Sequence, residues 1–303
     1  MSGRTSPEVA VVMGGPSVER EVSRASGQAV AAALSDEGVA AQTIEAGADL
    51  PARLADERPG VIFNALHGRW GEDGCVQGML EWLGLPYTHS GVLASALAMD
   101  KTRAKGVFAA AGLPVPEGRL VPAGEIAAGH PLPPPCVIKP NNEGSSVGVI
   151  ILSEGDAPPA PGPEAPAHLL VEAFVPGREL TVTVMGERAL AVTDIIAEGW
   201  YDYEAKYRPG ASRHVVPADL PGAVTERCLG IALAAHRALG CRGVSRADLR
   251  WDETRGADGL TLLEVNTQPG MTATSLVPEQ AAQCGIAMGA LCRWMVEDAS
   301  CNR

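Results

Sequence analysis

Leu263-Glu264-Val265-Asn266 runs directly into Thr267-Gln268-Pro269-Gly270-Met271, and a second strand-like run upstream carries Arg246 and Asp248. Side chains on a strand alternate between its two faces, so Glu264 shares a face with Asn266, and Arg246 shares one with Asp248. Between the runs lies Asp252-Glu253-Thr254-Arg255-Gly256-Ala257-Asp258-Gly259, rich in turn formers, which predicts that the two strands form a hairpin. Three oxygen donors and one guanidinium then gather on one surface. Carboxylate and amide oxygens with room left for water suit Mg²⁺, which binds proteins through few carboxylates and completes its shell with phosphate and water. An ordinary half-exposed antiparallel pair with a polar wet face shows the same alternation, and these residues alone leave both readings open.

At 303 residues the chain has length for two or three domains, and 46% hydrophobic with 20% charged residues describes a water-soluble globular protein. A net charge of -12 speaks against sequence-independent nucleic-acid binding, which needs a basic excess to neutralise phosphates. No apolar run is long enough to span a membrane, and Val9 to Met13 is too short for the core of a secretory signal, so a cytoplasmic location is expected. Seven cysteines without Cys-x-x-Cys spacing read as scattered reduced thiols, and the six histidines form no His-Glu-x-x-His zinc pattern.

Of 24 basic residues only Lys101, Lys105, Lys139 and Lys206 are lysine. A lysine is a compact point charge on a flexible stem that reaches a phosphate oxygen where the planar arginine fork does not fit. Lys105 reads as an exposed lysine on a helix, and the context of the other three is more telling.

Val9-Ala10-Val11-Val12-Met13 and the turn Gly14-Gly15-Pro16-Ser17 lead into a helical pattern with apolar positions at Val22, Ala25, Ala29 and Ala33, a β-turn-α unit opening an α/β domain. A short strand, Val61-Ile62-Phe63, ends in a loop with glycines at 68, 71 and 74 that permit close approach to a ligand. Helices are predicted over 75–83 and, as one piece, over 92–111. Cys136 to Pro140, the polar loop 141–146 and Val147 to Ile151 read as strand, loop, strand; 156–166 reads as an exposed proline-rich loop. Leu169 to Val175 and Glu179 to Val184 have strand propensity, and helices are predicted over 223–239 and 278–296. The expected domains are 1–94, 95–184 and 185–303.

The loop at 141–146 is suited to phosphate, because Gly144 frees backbone N–H groups and Ser145 and Ser146 add hydroxyl donors beside Lys139. It is not a Walker A loop, since the chain contains no Gly-Lys dipeptide, and Met13-Gly14-Gly15 lacks the spaced glycines of a dinucleotide fingerprint.

These parts together resemble the ATP-grasp enzymes, in which ATP lies between two antiparallel sheets. The resemblance narrows to the D-alanine:D-alanine ligases through Gly14-Gly15-Pro16-Ser17-Val18-Glu19-Arg20-Glu21-Val22-Ser23, His67-Gly68-Arg69 with Gly71-Glu72-Asp73-Gly74, and Gln77-Gly78 near Gly84-Leu85-Pro86-Tyr87. It continues through Met99-Asp100-Lys101, Lys139-Pro140 with Glu143-Gly144-Ser145-Ser146, Tyr201-Asp202-Tyr203-Glu204-Ala205-Lys206-Tyr207, and Glu264-Val265-Asn266-Thr267 with Pro269-Gly270-Met271-Thr272. It spans nearly the whole chain. The implied architecture is three-domain: a parallel α/β substrate-binding domain and two antiparallel-sheet domains clasping ATP.

The resemblance implies that Lys101, Lys139 and Lys206 hold the phosphates of ATP, that Glu172, Phe174, Val175 and Glu179 hold adenine and ribose, and that Asp248, Glu264 and Asn266 ligate two Mg²⁺ ions, with Mn²⁺ an acceptable substitute. The implied reaction transfers the γ-phosphoryl group of ATP to the carboxylate of one D-alanine, and the amine of a second D-alanine attacks the acyl phosphate, giving D-alanyl-D-alanine for peptidoglycan precursors. Arg246 and the Gly270 N–H face the developing oxyanion, Glu19 binds the first ammonium with His67 nearby, and Ser275 and Leu276 take the second carboxylate. Without the resemblance, Glu19 reads as an acidic residue favoured at a helix N-terminus. Tyr207, in the stretch 201–208 that resembles the family's closing loop, reaches toward Ser145 and Glu19, and a tyrosine there favours an amine as second substrate. A homodimer is implied. The departures Ala173, Asn141-Asn142, Gln268 and the proline-rich segment remove none of these residues. A related ligase using D-lactate or D-serine, and a nucleotide-binding regulator without catalysis, are the alternatives; intact Arg246, Asp248, Glu264 and Asn266 speak against the latter.

Overall fold

The computed structural model describes residues 9–144, 147–160, 162, 165–197 and 212–302. Strands β1 (Val9–Gly14), β2 (Ala41–Ala46) and β3 (Val61–Asn64) form a parallel sheet in the order β2-β1-β3, with α1 (Arg20–Asp36) and α2 (Leu50–Glu57) as crossovers. β1 is apolar at nearly every position because both faces are covered, as a central parallel strand requires.

Helix α1 buries Ser23, Ser26, Gly27, Val30 and Leu34, not the stripe of Val22, Ala25, Ala29 and Ala33 that hydropathy suggested. The buried face is set by polar bonding and close approach. The Ser23 hydroxyl accepts from Gly14 N–H at 2.8 Å and donates to the Ala65 carbonyl at 2.7 Å, fastening the ends of β1 and β3 together. At Gly27 a side-chain Cβ would lie 2.6 Å from Met13 Cβ, so only glycine lets the helix sit this close.

After α3 (Cys75–Leu83), the run predicted as one helix is two, α4 (Val92–Met99) and α5 (Lys101–Ala110). Asp100 is extended and caps α5, its side chain accepting from Arg103 N–H at 3.0 Å. Asn141 secures the break: its side-chain oxygen accepts from the Thr102 N–H and hydroxyl, and its carbonyl accepts from Lys101 N–H. The interruption puts Lys101 in the first turn of a new helix, facing the loop that follows Pro140.

Strand β4 (Gly118–Pro122), helix α6 (Ala123–Ala128) and strands β5 (Cys136–Pro140), β6 (Ile150–Leu152) and β7 (His168–Ala173) make an antiparallel sheet in the order β4-β7-β5-β6. β6 is shorter than expected, since 147 and 148 belong to a turn. A second antiparallel sheet, β10-β9-β8-β11-β12, contains β8 (Arg178–Met185), β9 (Arg188–Ala197), β10 (Ser212–Val215), β11 (Val244–Trp251) and β12 (Leu260–Asn266). β8 hydrogen-bonds both β9 and β11, so a boundary between 184 and 185 falls inside a continuous sheet. The β11 to β12 connection is a 3-10 helix over Glu253–Gly259 rather than a simple turn.

Helix α7 (Gly222–Leu239) packs on α4, α5 and this second sheet, and its apolar face supplies Val224, Cys228, Ile231, Ala235 and Leu239 to the largest core. The chain ends with α8 (Leu276–Gln283) and α9 (Met288–Asp298), which return to the first sheet. Val277, Ala281, Leu291 and Met295 share one core with Val9, Val11, Val30 and Phe63 on one face of the first sheet, while Ala10, Val12, Ile44, Leu54, Ile62, Leu80 and Tyr87 form a core on its other face from residues 9–94 alone. No helix among the described residues is long and apolar enough to cross a membrane.

Ser23→Ala should leave a buried N–H and a buried carbonyl without their partner and cost about 2 kcal/mol, read as a lower urea midpoint with unchanged slope.

Candidate active site

The register of β11 with its neighbours arranges the predicted residues. Arg246 lies opposite Asn266, and Asp248 opposite Glu264, with a bulge immediately after Asp248. Arg246 forks onto Asp248 at 2.8 and 2.7 Å, and the Thr181 hydroxyl donates to the same carboxylate at 2.6 Å. Glu264 lies 3.2 Å from the Lys101 ammonium, and Asn266 accepts from Gln268 N–H at 2.7 Å, which turns the chain into the Gly270 loop.

A cleft opens between the two antiparallel sheets. Lys101, Lys139, Glu172, Phe174, Val175 and Glu179 line it, with Asp248 and Glu264 at one end. A second, wider cavity adjoins it, and here Glu19, His67, Arg246, Asn266, Gly270, Ser275 and Leu276 meet. Gly144 and Glu264 line both spaces and so mark their junction. Every candidate residue within the described part of the chain therefore faces one space or the other; Ser145, Lys206 and Tyr207 lie outside the described residues.

Glu19 precedes α1 but makes no side-chain cap, so helix capping does not explain it. It is buried and aimed at Gly68, where a Cβ would come within 2.6 Å of its carboxylate. His67, buried, sits 3.2 Å from the Ser26 hydroxyl, and burial lowers its basicity against the pull of Glu19.

Four residues of this site escaped the sequence reading. Glu72 is buried, lines the substrate cavity and accepts from Gly68 N–H at 2.8 Å. Burial, then the nearby Glu19 charge, pushes its carboxyl up to about 8. Lys105, expected on the surface, is 7% exposed and lies 2.6 Å from Glu172, whose other oxygen pairs with Lys139. Burial would raise the Glu172 carboxyl, but the two ammoniums hold it below its ordinary value; burial in turn draws Lys105 down to about 8. The signal was available: Lys105 is four residues after Lys101 on one helix face. Arg250 continues the alternation of Arg246 and Asp248; it donates to the Val175 carbonyl at 3.2 Å, pairs with Glu179 at 3.4 Å and lies over the Phe174 ring. His214 lines the substrate cavity from β10.

Among the described residues no group of three or more His, Cys, Asp or Glu side chains gathers to hold a metal. The hairpin offers two carboxylates and one amide oxygen, a hard and incomplete donor set. That fits a hard divalent cation sharing its shell with phosphate and water.

Two antiparallel sheets closing on a lysine-lined cleft, with a carboxylate and amide hairpin at its end, define the class of ATP-grasp ligases. A D-ala D-ala ligase C-terminus family model matches residues 124–297, and the corresponding N-terminus model matches residues 41–90. The D-alanine–D-alanine ligase of Cereibacter sphaeroides is 67% identical over all of this chain and 99% of its own, and that of Roseobacter denitrificans is 64% identical over all of this chain and 95% of its own. The crystal structure of the D-alanine–D-alanine ligase from Bacillus anthracis complexed with ATP superposes with a TM-score of 0.78 at 26% identity, covering 96% of this chain and 97% of that one. The chain belongs to the D-alanine–D-alanine ligase family.

The Glu72 carboxyl changes from an ordinary 4.5 to about 8 on folding, so between these values the folded protein holds a proton that the unfolded chain releases. Stability from this group therefore falls as pH rises through that window. Glu72→Gln should gain stability relative to the wild type from pH 5 to pH 8 in urea unfolding, and an equal effect at both values would contradict the assignment.

Proposed function

We propose that the chain joins two D-alanines, with ATP in the cleft between the antiparallel sheets and the amino acids in the adjoining cavity. The observation that carries this reading is that Gly144 and Glu264 line both the cleft and the cavity, so a phosphate at the end of the one would meet a carboxylate held in the other. ATP-dependent ligation of D-alanine follows from the family; the placement of the lining residues supports the roles assigned to them.

Phe174 and Val175 flank the far end of the cleft, where an aromatic face and backbone groups suit adenine. Glu179 suits the ribose hydroxyls as acceptor. Lys139 and Lys101 also line the cleft and neutralise phosphate oxygens; Lys206 and Ser145 are assigned to the same phosphates on the family resemblance alone. Glu172 fixes Lys139 in place. Asp248, Glu264 and Asn266 would hold two Mg²⁺ ions, which would supply positive charge against the phosphates.

In the cavity Glu19 takes the ammonium of the first D-alanine, leaving its carboxylate free to attack the γ-phosphorus at the junction. A carboxylate is a poor electrophile, and conversion to an acyl phosphate supplies a leaving group. Arg246 and the Gly270 N–H stand where the carbonyl oxygen gains charge when the second amine attacks. Buried Ser26 holds this arrangement together, its hydroxyl accepting from Met271 N–H at 3.2 Å while also meeting His67. Ser275 and the N-terminus of α8 present donors to the second carboxylate. Tyr207, on the family resemblance alone, would serve to exclude water that hydrolyses the intermediate.

ADP release with ATP and Mg²⁺ should depend on D-alanine and be weak with L-alanine, and D-lactate should not replace the second D-alanine. Glu264→Gln keeps shape but removes charge; it should retain the wild-type circular dichroism spectrum and lose at least about a hundredfold in turnover. Equal turnover with D-lactate as acceptor, or none with D-alanine, would overturn the substrate assignment.

A further inference from the structure

His214 and Glu279 form a pair that none of the roles above uses. His214 stands on β10, and Glu279 lies in the first turn of α8, the helix whose N-terminus is offered to the second amino acid. His214 Nδ1 is 2.7 Å from Glu279 Oε2, and both side chains are mostly buried, at 18% and 27% exposure. An ionised carboxylate only accepts, so Nδ1 carries the proton and donates it to Glu279. In the neutral ring the lone pair then lies on Nε2. Nε2 is itself buried and has no hydrogen-bond partner among the described residues, while His214 lines the cavity shared by Arg246, Gly270, Ser275 and Leu276.

The helix that carries Glu279 is held firmly. Gln280 beside it accepts from Thr183 N–H at 2.6 Å and donates to the Thr181 carbonyl at 3.3 Å, filling the gap at the irregular pairing of β8 with β9. Glu279 is therefore anchored, and the imidazole is aimed by an acceptor that cannot drift. An oriented imidazole with its second nitrogen free is the arrangement by which carboxylate and histidine together make a general base.

We infer that His214 is the proton acceptor for the amine of the second D-alanine, an inference that rests on the acyl-phosphate reading above. That amino acid arrives as an ammonium, which cannot attack. Nε2 takes one proton and frees the nitrogen lone pair. The amine then forms the C–N bond to the acyl carbon; the carbonyl electrons move to oxygen, return, and expel phosphate as the C–O bond to it breaks. The second nitrogen proton leaves with the departing phosphate, and His214 passes the first to solvent. The other titratable or charged side chains lining the cavity are Glu19, Glu21, His67, Glu72, Arg246 and Glu264. Of these, Glu19 and Arg246 have substrate roles already, and His67 meets Ser26 through its own Nε2.

The test compares two nucleophiles in the wild type and in His214→Gln, which keeps a donor for Glu279 but no base. Hydroxylamine is unprotonated at neutral pH and captures an acyl phosphate without help, so D-alanyl hydroxamate should form at the same rate in both enzymes. D-alanyl-D-alanine formation should fall about a hundredfold or more at neutral pH in the variant and recover as pH rises and free amine accumulates. Three results would overturn the inference: wild-type dipeptide rates in the variant, an equal loss of hydroxamate and dipeptide, or a loss that pH does not relieve. Absence of hydroxamate in the wild type would remove the acyl-phosphate reading itself and the inference with it.

Discussion

Strand β11 is the constraint on which the rest depends. It is paired on both sides, so Arg246, Asp248 and Arg250 lie opposite Thr183, Thr181 and Glu179 on one side, while Arg246 and Asp248 lie opposite Asn266 and Glu264 on the other. Shifting either pairing by one residue would turn every functional side chain into the core, where Ala247 and Leu249 now pack. The bulge after Asp248 adds local twist at the point where the cleft meets the cavity. Hydrophobic alternation thus determines where the charges stand.

A second layer of order joins the strand ends to the first domain. Gln268 donates to the Asn64 carbonyl and meets His89 at 3.1 Å, while Asn64 and Gln77 both donate to the Gly71 carbonyl at 2.9 Å. Together with the Ser26 contact to Met271, these bonds fix the glycine loop after β3 against the loop after β12. A buried hydrogen-bonded network of this kind has few alternative arrangements. The substrate cavity lies along this seam, and its shape is inherited from both domains.

Much of this was legible in the sequence because strands and glycine turns leave short-range signals. The β11 and β12 alternation, the glycine loops and the scarcity of lysine pointed to the right faces. The errors share a physical cause. Helix α1 was read from hydropathy, but Ser23 and Ser26 are buried because they bond backbone and Gly27 because it approaches Met13. The run over 92–111 reads as one helix because its break depends on Asn141, remote in sequence. Lys105 reads as a surface residue when taken alone; its spacing from Lys101 sets its helix face, but its partner Glu172 is remote in sequence. His214 and Glu279 are 65 residues apart, a separation at which side-chain pairing leaves no local pattern.

Electrostatics explains why the site is poised before substrates arrive. Each carboxylate at the junction is matched to a cation, Asp248 to Arg246 and Glu264 to Lys101, so no charge is buried uncompensated. Phosphate and Mg²⁺ would exchange these partners rather than create new charge, which keeps reorganisation small. The central claim is that phosphate departs with an oxygen taken from the first amino acid's carboxylate. The direct measurement is phosphorus NMR of a reaction run with D-alanine labelled by ¹⁸O in both carboxylate positions. The account predicts inorganic phosphate carrying one ¹⁸O for each dipeptide formed; phosphate free of label, with dipeptide still produced, would contradict it.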